Sequence, residues 1–261
     1  MKDVILGVVS ILVAILLVIL AGEAGIRAMH FYTEHFSDRK NPMHITLDDE
    51  LGWIATPDYV YEGTLPDAEG TSYPVSIDTN SEGYRVYGDP ATTVRKKLLF
   101  LGDSYTQAMQ VSNDKAYYSL LQEELDIEVF AFGVDGFGTL QQSMLLDRIM
   151  DDIKPDAVVL QFCPNDLINN DYKLETGSGF NNNGLRRPYY ESGNIVYRNP
   201  ASLPALREFA ARYSDFLYFI ITRLDRIKPV PENPSENMIR EQGLANPLLQ
   251  NSVATTDELV E

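Results

Sequence analysis

The chain has 261 residues, 44% of them hydrophobic, which suits one sizeable α/β domain plus an anchor and is too apolar for a disordered chain. Acidic residues number 38 against 21 basic ones, a formal net charge of −17 that repels phosphate backbones and argues against nucleic acid as a partner. A single cysteine, Cys163, excludes an internal disulfide and a cysteine-based zinc site.

The first element is VILGVVSILVAILLVILA, Val4 to Ala21, 18 residues without a charge. It predicts a helix crossing a bilayer, so residues 1–28 are expected to form a transmembrane anchor that touches lipid through residues 4–21. The alternative is a cleaved signal peptide, whose apolar run would be shorter and followed by a small-residue cleavage site; here GEAGIR follows. Arg27, Arg39 and Lys40 behind the span outnumber Lys2 ahead of it, a count that places the large domain inside.

Residues 29–95 are polar and aromatic. LDDELGWIATPDYVYEG and YPVSIDTNSEGYRVYG predict extended segments broken by turns, packing on the core, with Trp53 as a packing anchor. A third region, 96–261, changes character. Leu98–Leu101 predicts a strand buried on both faces. SNDKAYYSLLQEEL predicts a helix capped by Ser112 or Asn113. EVFAFGV from Glu128 predicts a second strand. Leu140–Ile153 predicts a second helix with Leu140, Met144, Ile149 and Ile153 on one stripe. Ala157–Phe162 predicts a third buried strand. Strands alternating with helices imply right-handed crossovers and a parallel sheet, with Leu98–Leu101 at its centre. Residues 171–200 are an insertion carrying a hairpin that turns at Ser192-Gly193-Asn194. A long helix is expected over 203–227, ended by Pro229, Pro231 and Pro234. Residues 228–250 are expected to be a loop.

Three motifs fall at the C-terminal ends of the three strands: GDS at 102–104, GVDGFGT at 133–139 and PND at 164–166. In open α/β sheets ligands bind beyond those ends. Each motif alone is a common turn or cap, since Asp and Ser cap helices and Asn-Asp forms Asx-turns. Their order, one per strand end, points to a site.

In these residues the chain resembles the SGNH, or GDSL-type, serine hydrolases over 98–170, with LGW and NSEGYR upstream also similar to members of that superfamily. The resemblance implies a three-layer α/β/α fold of flavodoxin-like type with a central parallel sheet. It implies Ser104 as nucleophile, and an oxyanion hole formed by the Ser104 backbone N–H, Gly136 and Asn165. Ala131 stands where the family often has asparagine. The physics of ester hydrolysis agrees: charge develops on the carbonyl oxygen, a glycine lets a backbone N–H approach closely, and an asparagine donates without carrying charge. Asp103 is expected to be a structural partner of its loop, and Met109 and Cys163 packing residues. No metal and no cofactor are called for.

A serine hydroxyl needs a base, usually a histidine held by a carboxylate. The family carries both in a D-x-x-H block near its C-terminus, and no such block is present. The histidines are His30, His35 and His44, all upstream of Ser104 and none with an aspartate three residues before it. Thr255 and Glu258 form a capping-box pattern, which predicts a helix beginning there, yet the chain stops at Glu261. An apolar third strand at the sheet edge would also be exposed. Both suggest a chain truncated before its catalytic Asp and His, against the alternative of a natural short form with a disordered tail. Two functions remain open: a membrane-anchored ester hydrolase (or a related glycan acyltransferase) acting on small esters or acylated glycans, and a non-catalytic glycan- or acyl-binding scaffold. The resemblance to anchored members implies a single-pass protein with an extracytoplasmic domain.

Overall fold

The computed structural model describes residues 2–36, 44–180, 184–227 and 231–260. Arg39 and Lys40, counted for orientation, and Pro229, read as a helix stop, lie outside the described residues. The chain divides into two compact units, 1–37 with 203–229, and 38–202 with 230–261.

The larger unit begins with two antiparallel pairs. Strand β1 (Ile45–Asp48) pairs with β2 (Gly52–Ala55), and β3 (Val60–Pro66) with β4 (Ser72–Asp78). A four-stranded sheet follows, built from β5 (Val86–Tyr87), β6 (Lys97–Gly102), β7 (Glu128–Gly133) and β8 (Ala157–Gln161), in the order β5-β7-β6-β8. Strands β7, β6 and β8 are parallel, while β5 is antiparallel to β7. The register aligns Gly102 of β6 with Gly133 of β7 and Gln161 of β8, so the three following loops leave the sheet at one level. Helices α2 (Ser104–Gln107) and α3 (Tyr117–Leu125) lie between β6 and β7, α4 (Thr139–Ile153) between β7 and β8, and α5 (Asp166–Asn169) and α6 (Tyr172–Thr176) after β8. The hairpin β9 (Arg187–Glu191) and β10 (Asn194–Arg198) follows.

Apolar burial holds the sheet. Leu99, Leu101, Val129, Phe130 and Ala131 are fully buried. Phe100, Ala116, Tyr118, Ile127, Val129 and Ala131 form one cluster between sheet and α3. The upstream region supplies a sheet strand, β5, and an aromatic ladder: Tyr84 meets Phe132 and Tyr87 meets Phe130 edge-on. Gly133 is a close-approach position, since a Cβ there would overlap the backbone of Thr106 and Gln107. Helix α2 therefore sits directly on the strand ends.

Several expectations are corrected. Strand β8 is not buried on both faces: it has a neighbour on one side only among the described residues, and Val159 and Phe162 are 36% and 47% exposed. The stripe of α4 buries Leu140, Leu145 and Ile153 together with Gln141 and Gln142. Asn113 caps nothing; its amide clasps Asp78 and Arg85, and α3 starts at Tyr117 after a short 3-10 turn. The hairpin turns on Ser192 and Gly193 alone, both at positive φ of 52° and 79°, with Asn194 already in β10. That is the two-residue turn whose twist suits a hairpin.

The stretch after 230 is helical where a loop was expected. It holds α9, here numbered after the two helices of the smaller unit, over Ser235–Gln242, and α10 over Pro247–Val260. Thr255 lies inside α10, so the capping box does not form. The start is set by Asn246, whose Oδ1 accepts from the N–H of Leu248 at 2.9 Å, and by Pro247 in the first turn.

The smaller unit holds α1 (Lys2–Phe36), α7 (Pro204–Tyr213) and α8 (Asp215–Arg226). Helix α1 is long and apolar enough to cross a membrane over Lys2–Thr33. It runs past residue 28 without a break. The single helix expected over 203–227 is two helices, broken at Ser214 (φ −146°, ψ 99°). The break has a long-range cause. The Ser214 hydroxyl donates to Glu23 at 2.8 Å, and the same carboxylate accepts from the N–H groups of Asp215 and Phe216.

Candidate active site

The loop after β6 carries Asp103 and Ser104. Asp103 is fully buried and caps α2, accepting from the Tyr105 N–H at 2.9 Å, while its other oxygen accepts from Asn165 Nδ2 at 3.0 Å. Its role in the geometry is to tie the first strand-end loop to the third. Ser104 is the first helical residue, half-buried at a helix start whose N–H groups have no intrahelical acceptor.

The loop after β7 is pinned from two sides. The Asp135 N–H donates to Gln107 Oε1 at 3.0 Å, and Trp53 Nε1 donates to the Asp135 carbonyl at 2.9 Å. Gly136 follows at φ +73°, a backbone conformation that only glycine adopts without strain. The loop after β8 places Asn165 at the start of α5, where its amide donates to Asp103 and, at 3.3 Å, to Asn169 Oδ1. Ser104, Gly136 and Asn165 line one open crevice of about 450 Å³, together with Asp135, Cys163 and Asn169; the exposed rings of Tyr105 and Phe180 form part of its wall.

Charge in the crevice is shaped by burial. The Cys163 thiol is pushed up to about 11, by burial first and then by the Asp103 charge, so it stays protonated and unreactive at neutral pH. The Asp166 carboxyl, wholly buried, is pushed up to about 7 by burial and by Asp103. Its Oδ2 accepts from Gln142 Nε2 at 3.2 Å and from the Cys163 N–H, while Oδ1 has no partner.

Among the described residues no histidine lines the crevice. His44 is the one histidine of the larger unit; its Nε2 lies 3.6 Å from Asp135 Oδ2, and Asp135 belongs to the crevice wall. That pairing escapes sequence reasoning, because the partners stand far apart in the chain and follow no D-x-x-H spacing. His30 lies in the other unit, 3.6 Å from Asp215. Among the described residues no group of three or more His, Cys, Asp or Glu could hold a metal ion.

Behind the crevice lies a buried polar frame, also missed. Arg187 of β9, 1% exposed, pairs with the fully buried Glu175 at 3.2 Å and donates to Gln141. Glu175 also accepts from the Tyr189 hydroxyl at 2.8 Å. The guanidinium stacks 5.2 Å from the Trp53 ring, the same indole that holds Asp135. Beneath α2, Arg85 donates to the carbonyls of Gln107, Ala108 and Val111 and to Asn113 Oδ1. Charge usually marks a surface residue, so only a partner identified in space reveals either arginine as internal.

Compared with known proteins, residues 98–229 match the model of the GDSL-like lipase/acylhydrolase family. No protein with a curated description matches the chain. The family match begins in β6 and takes in the serine, glycine and asparagine loops just described, and it spans half of the chain: the protein belongs to the GDSL-like lipase/acylhydrolase family.

Proposed function

We propose that this chain is a membrane-anchored hydrolase of acyl or acetyl esters, of three-layer α/β/α architecture, with Ser104 as its nucleophile. The Ser104 Oγ attacks the ester carbonyl; the alcohol leaves, and water then releases the acid from the acyl-serine. The oxyanion is taken by the backbone N–H groups of Ser104 and Gly136 and by Asn165 Nδ2, which gives up its longer bond to Asn169. Helix α1 is the anchor, and small esters or acylated glycans are the substrates. The observation that carries this reading is the shared crevice: three residues from three separate strand-end loops line one space.

Two observations favour a second reading, a non-catalytic binding protein. Among the described residues no histidine lines the crevice, and both Asn165 N–H groups point at protein acceptors. One experiment separates the two. The full chain in detergent is compared with Ser104→Ala, Asn165→Ala and His44→Ala for hydrolysis of p-nitrophenyl acetate and for labelling by a fluorophosphonate. The hydrolase reading expects labelling that Ser104→Ala abolishes, and turnover that Asn165→Ala lowers about a hundredfold or more. If His44 is the base, its removal is as damaging as removal of the serine. Turnover indifferent to Ser104→Ala overturns the hydrolase. Absence of both labelling and turnover, with retained binding of an acetylated oligosaccharide, establishes the scaffold.

A further inference from the structure

The helical pair α7–α8 exposes more apolar surface than a helical hairpin in water does. A charged pair joins the two helices: Arg207, nearly buried, donates to both carboxylate oxygens of the partly exposed Asp225 at 2.7 and 2.5 Å, beside the buried Ala210. The outer side of the hairpin is apolar. On α7, Leu206, Phe209 and Tyr213 recur at helical spacing and are 44%, 51% and 66% exposed. On α8 and just past it, Phe219, Ile220, Leu224 and Ile227 do the same, with Leu224 at 56% and Ile227 at 78%. A soluble helical hairpin buries such stripes and exposes its ions. Here the apolar stripes of both helices are exposed while Arg207 is buried.

The position of this pair along α1 says what covers the stripes. The uncharged run Val4–Ala21 is about 27 Å long at 1.5 Å per residue, close to the hydrocarbon thickness of a bilayer. Glu23, the first charge after it, receives the Ser214 hydroxyl and the first N–H groups of α8. Phe216 lies against Gly22, so closely that a Cβ there would meet its ring at 2.5 Å. The start of α8 is therefore fixed to the helix at the point where the apolar run ends, which is the level of the membrane surface when α1 is the anchor. The aromatic rings and arginines on the pair suit that level: Arg223 lies over the Phe219 ring at 4.9 Å, and Arg212 is exposed beside Tyr213.

We propose that α7 and α8 form an interfacial platform that lies on the lipid bilayer with Leu206, Phe209, Tyr213, Phe219, Leu224 and Ile227 in the headgroup–acyl boundary. The platform rests on the anchor part of the proposed function and is independent of the ester chemistry. It makes the membrane contact of this protein a broad one, a span plus a hairpin, instead of a single tethering helix.

The test uses the full chain in phosphatidylcholine vesicles, in a Cys163→Ser background, with single cysteines at Leu224→Cys, Phe209→Cys, Leu12→Cys or Val94→Cys, each carrying an environment-sensitive fluorophore. Val94, 90% exposed in the other unit, is the aqueous control. Vesicles contain lipid with a quenching nitroxide either near the headgroup or deep in the acyl chain. Probes at 224 and 209 are expected to be quenched about twofold or more, and more by the shallow nitroxide than the deep one, because interfacial helices bury their apolar face only in the outer acyl region. The probe at Leu12 is expected to prefer the deep nitroxide. If Leu12 is quenched and 224 and 209 behave like Val94, the anchor stands and the platform is refuted, its stripes being covered by protein. If Leu12 is not quenched either, anchor and platform fall together.

Discussion

Replacing Arg187 by methionine is expected to remove a large part of the stability of the larger unit. Its guanidinium and the Glu175 carboxylate are 1% and 0% exposed and stand 3.2 Å apart. At an effective dielectric of about 20 their attraction is about 5 kcal/mol. Methionine fills much of the volume but leaves Glu175 buried with the Tyr189 hydroxyl as its strongest remaining donor, at 2.8 Å. Breaking a buried pair from one side costs about 3–5 kcal/mol, in line with that attraction, against a total domain stability of about 5–15 kcal/mol. The double variant Arg187→Met with Glu175→Leu removes the stranded charge and is expected to recover most of the loss. Trp53 supplies the assay. It is the only tryptophan, fully buried, and it lies under the guanidinium. Its fluorescence during urea titration of the detergent-solubilised chain reads the unfolding midpoint, from which the loss follows. A single variant that loses less than about 1 kcal/mol, or a double variant no more stable than the single one, would refute the argument that the pair is electrostatically coupled in a dry frame.

Two further predictions follow from buried groups. The Asp166 carboxyl is raised to about 7 by burial and Asp103, against a low value in the unfolded chain; its bound proton therefore stabilises the fold fully below about pH 4, and that stabilisation is lost as pH rises through about 7. Thermal melts of the wild type and Asp166→Asn between pH 5 and 8 should diverge, the wild type falling more steeply, and parallel curves would count against it. Arg85→Ala should loosen the segment after Ser104, because four hydrogen bonds to Gln107, Ala108, Val111 and Asn113 vanish together. Amide exchange at residues 108–115 should accelerate before exchange in β6 and β7 does, and unchanged exchange there would refute the clamp.

What the sequence made legible was set by local pattern. Apolar runs and their alternation with amphipathic stretches suffice for β6, β7 and β8 and for α3 and α4, because burial of a periodic face decides such elements. The turn at Ser192-Gly193 is legible for the same reason, since it depends on two adjacent residues. The loops of Ser104, Gly136 and Asn165 stand out because each follows a strand, and the resemblance to the serine hydrolases then singles out those residues within them. The break at Ser214 is not legible: the apolar period runs straight through it, and its cause is Glu23, 191 residues away. Asn246-Pro247 carried a helix start in plain sight, but the surrounding Pro and Asn read as loop. The internal Arg187 depends on Glu175, Gln141 and Trp53, none of them its neighbour in sequence.

These misses share a physical cause that bears on how the site is made. A parallel sheet brings three loops to one end, but only to within the tolerance of apolar packing, which has no preferred direction. Hydrogen-bond donors that must meet one substrate oxygen need tighter placement than that. Here directional bonds from buried polar side chains fix the three loops: Arg85 holds the chain after Ser104, Gln107 and Trp53 hold Asp135 beside Gly136, and Asp103 holds Asn165. The outer supports of this frame come from residues 51–95 and 171–200, outside the three strand-end loops themselves. Burying an arginine and a glutamate there is costly in isolation, and it is sustained because each group is paired. The flanking segments are therefore part of the site's construction, and substitutions in them should alter the geometry around Ser104 without touching any residue of the crevice itself.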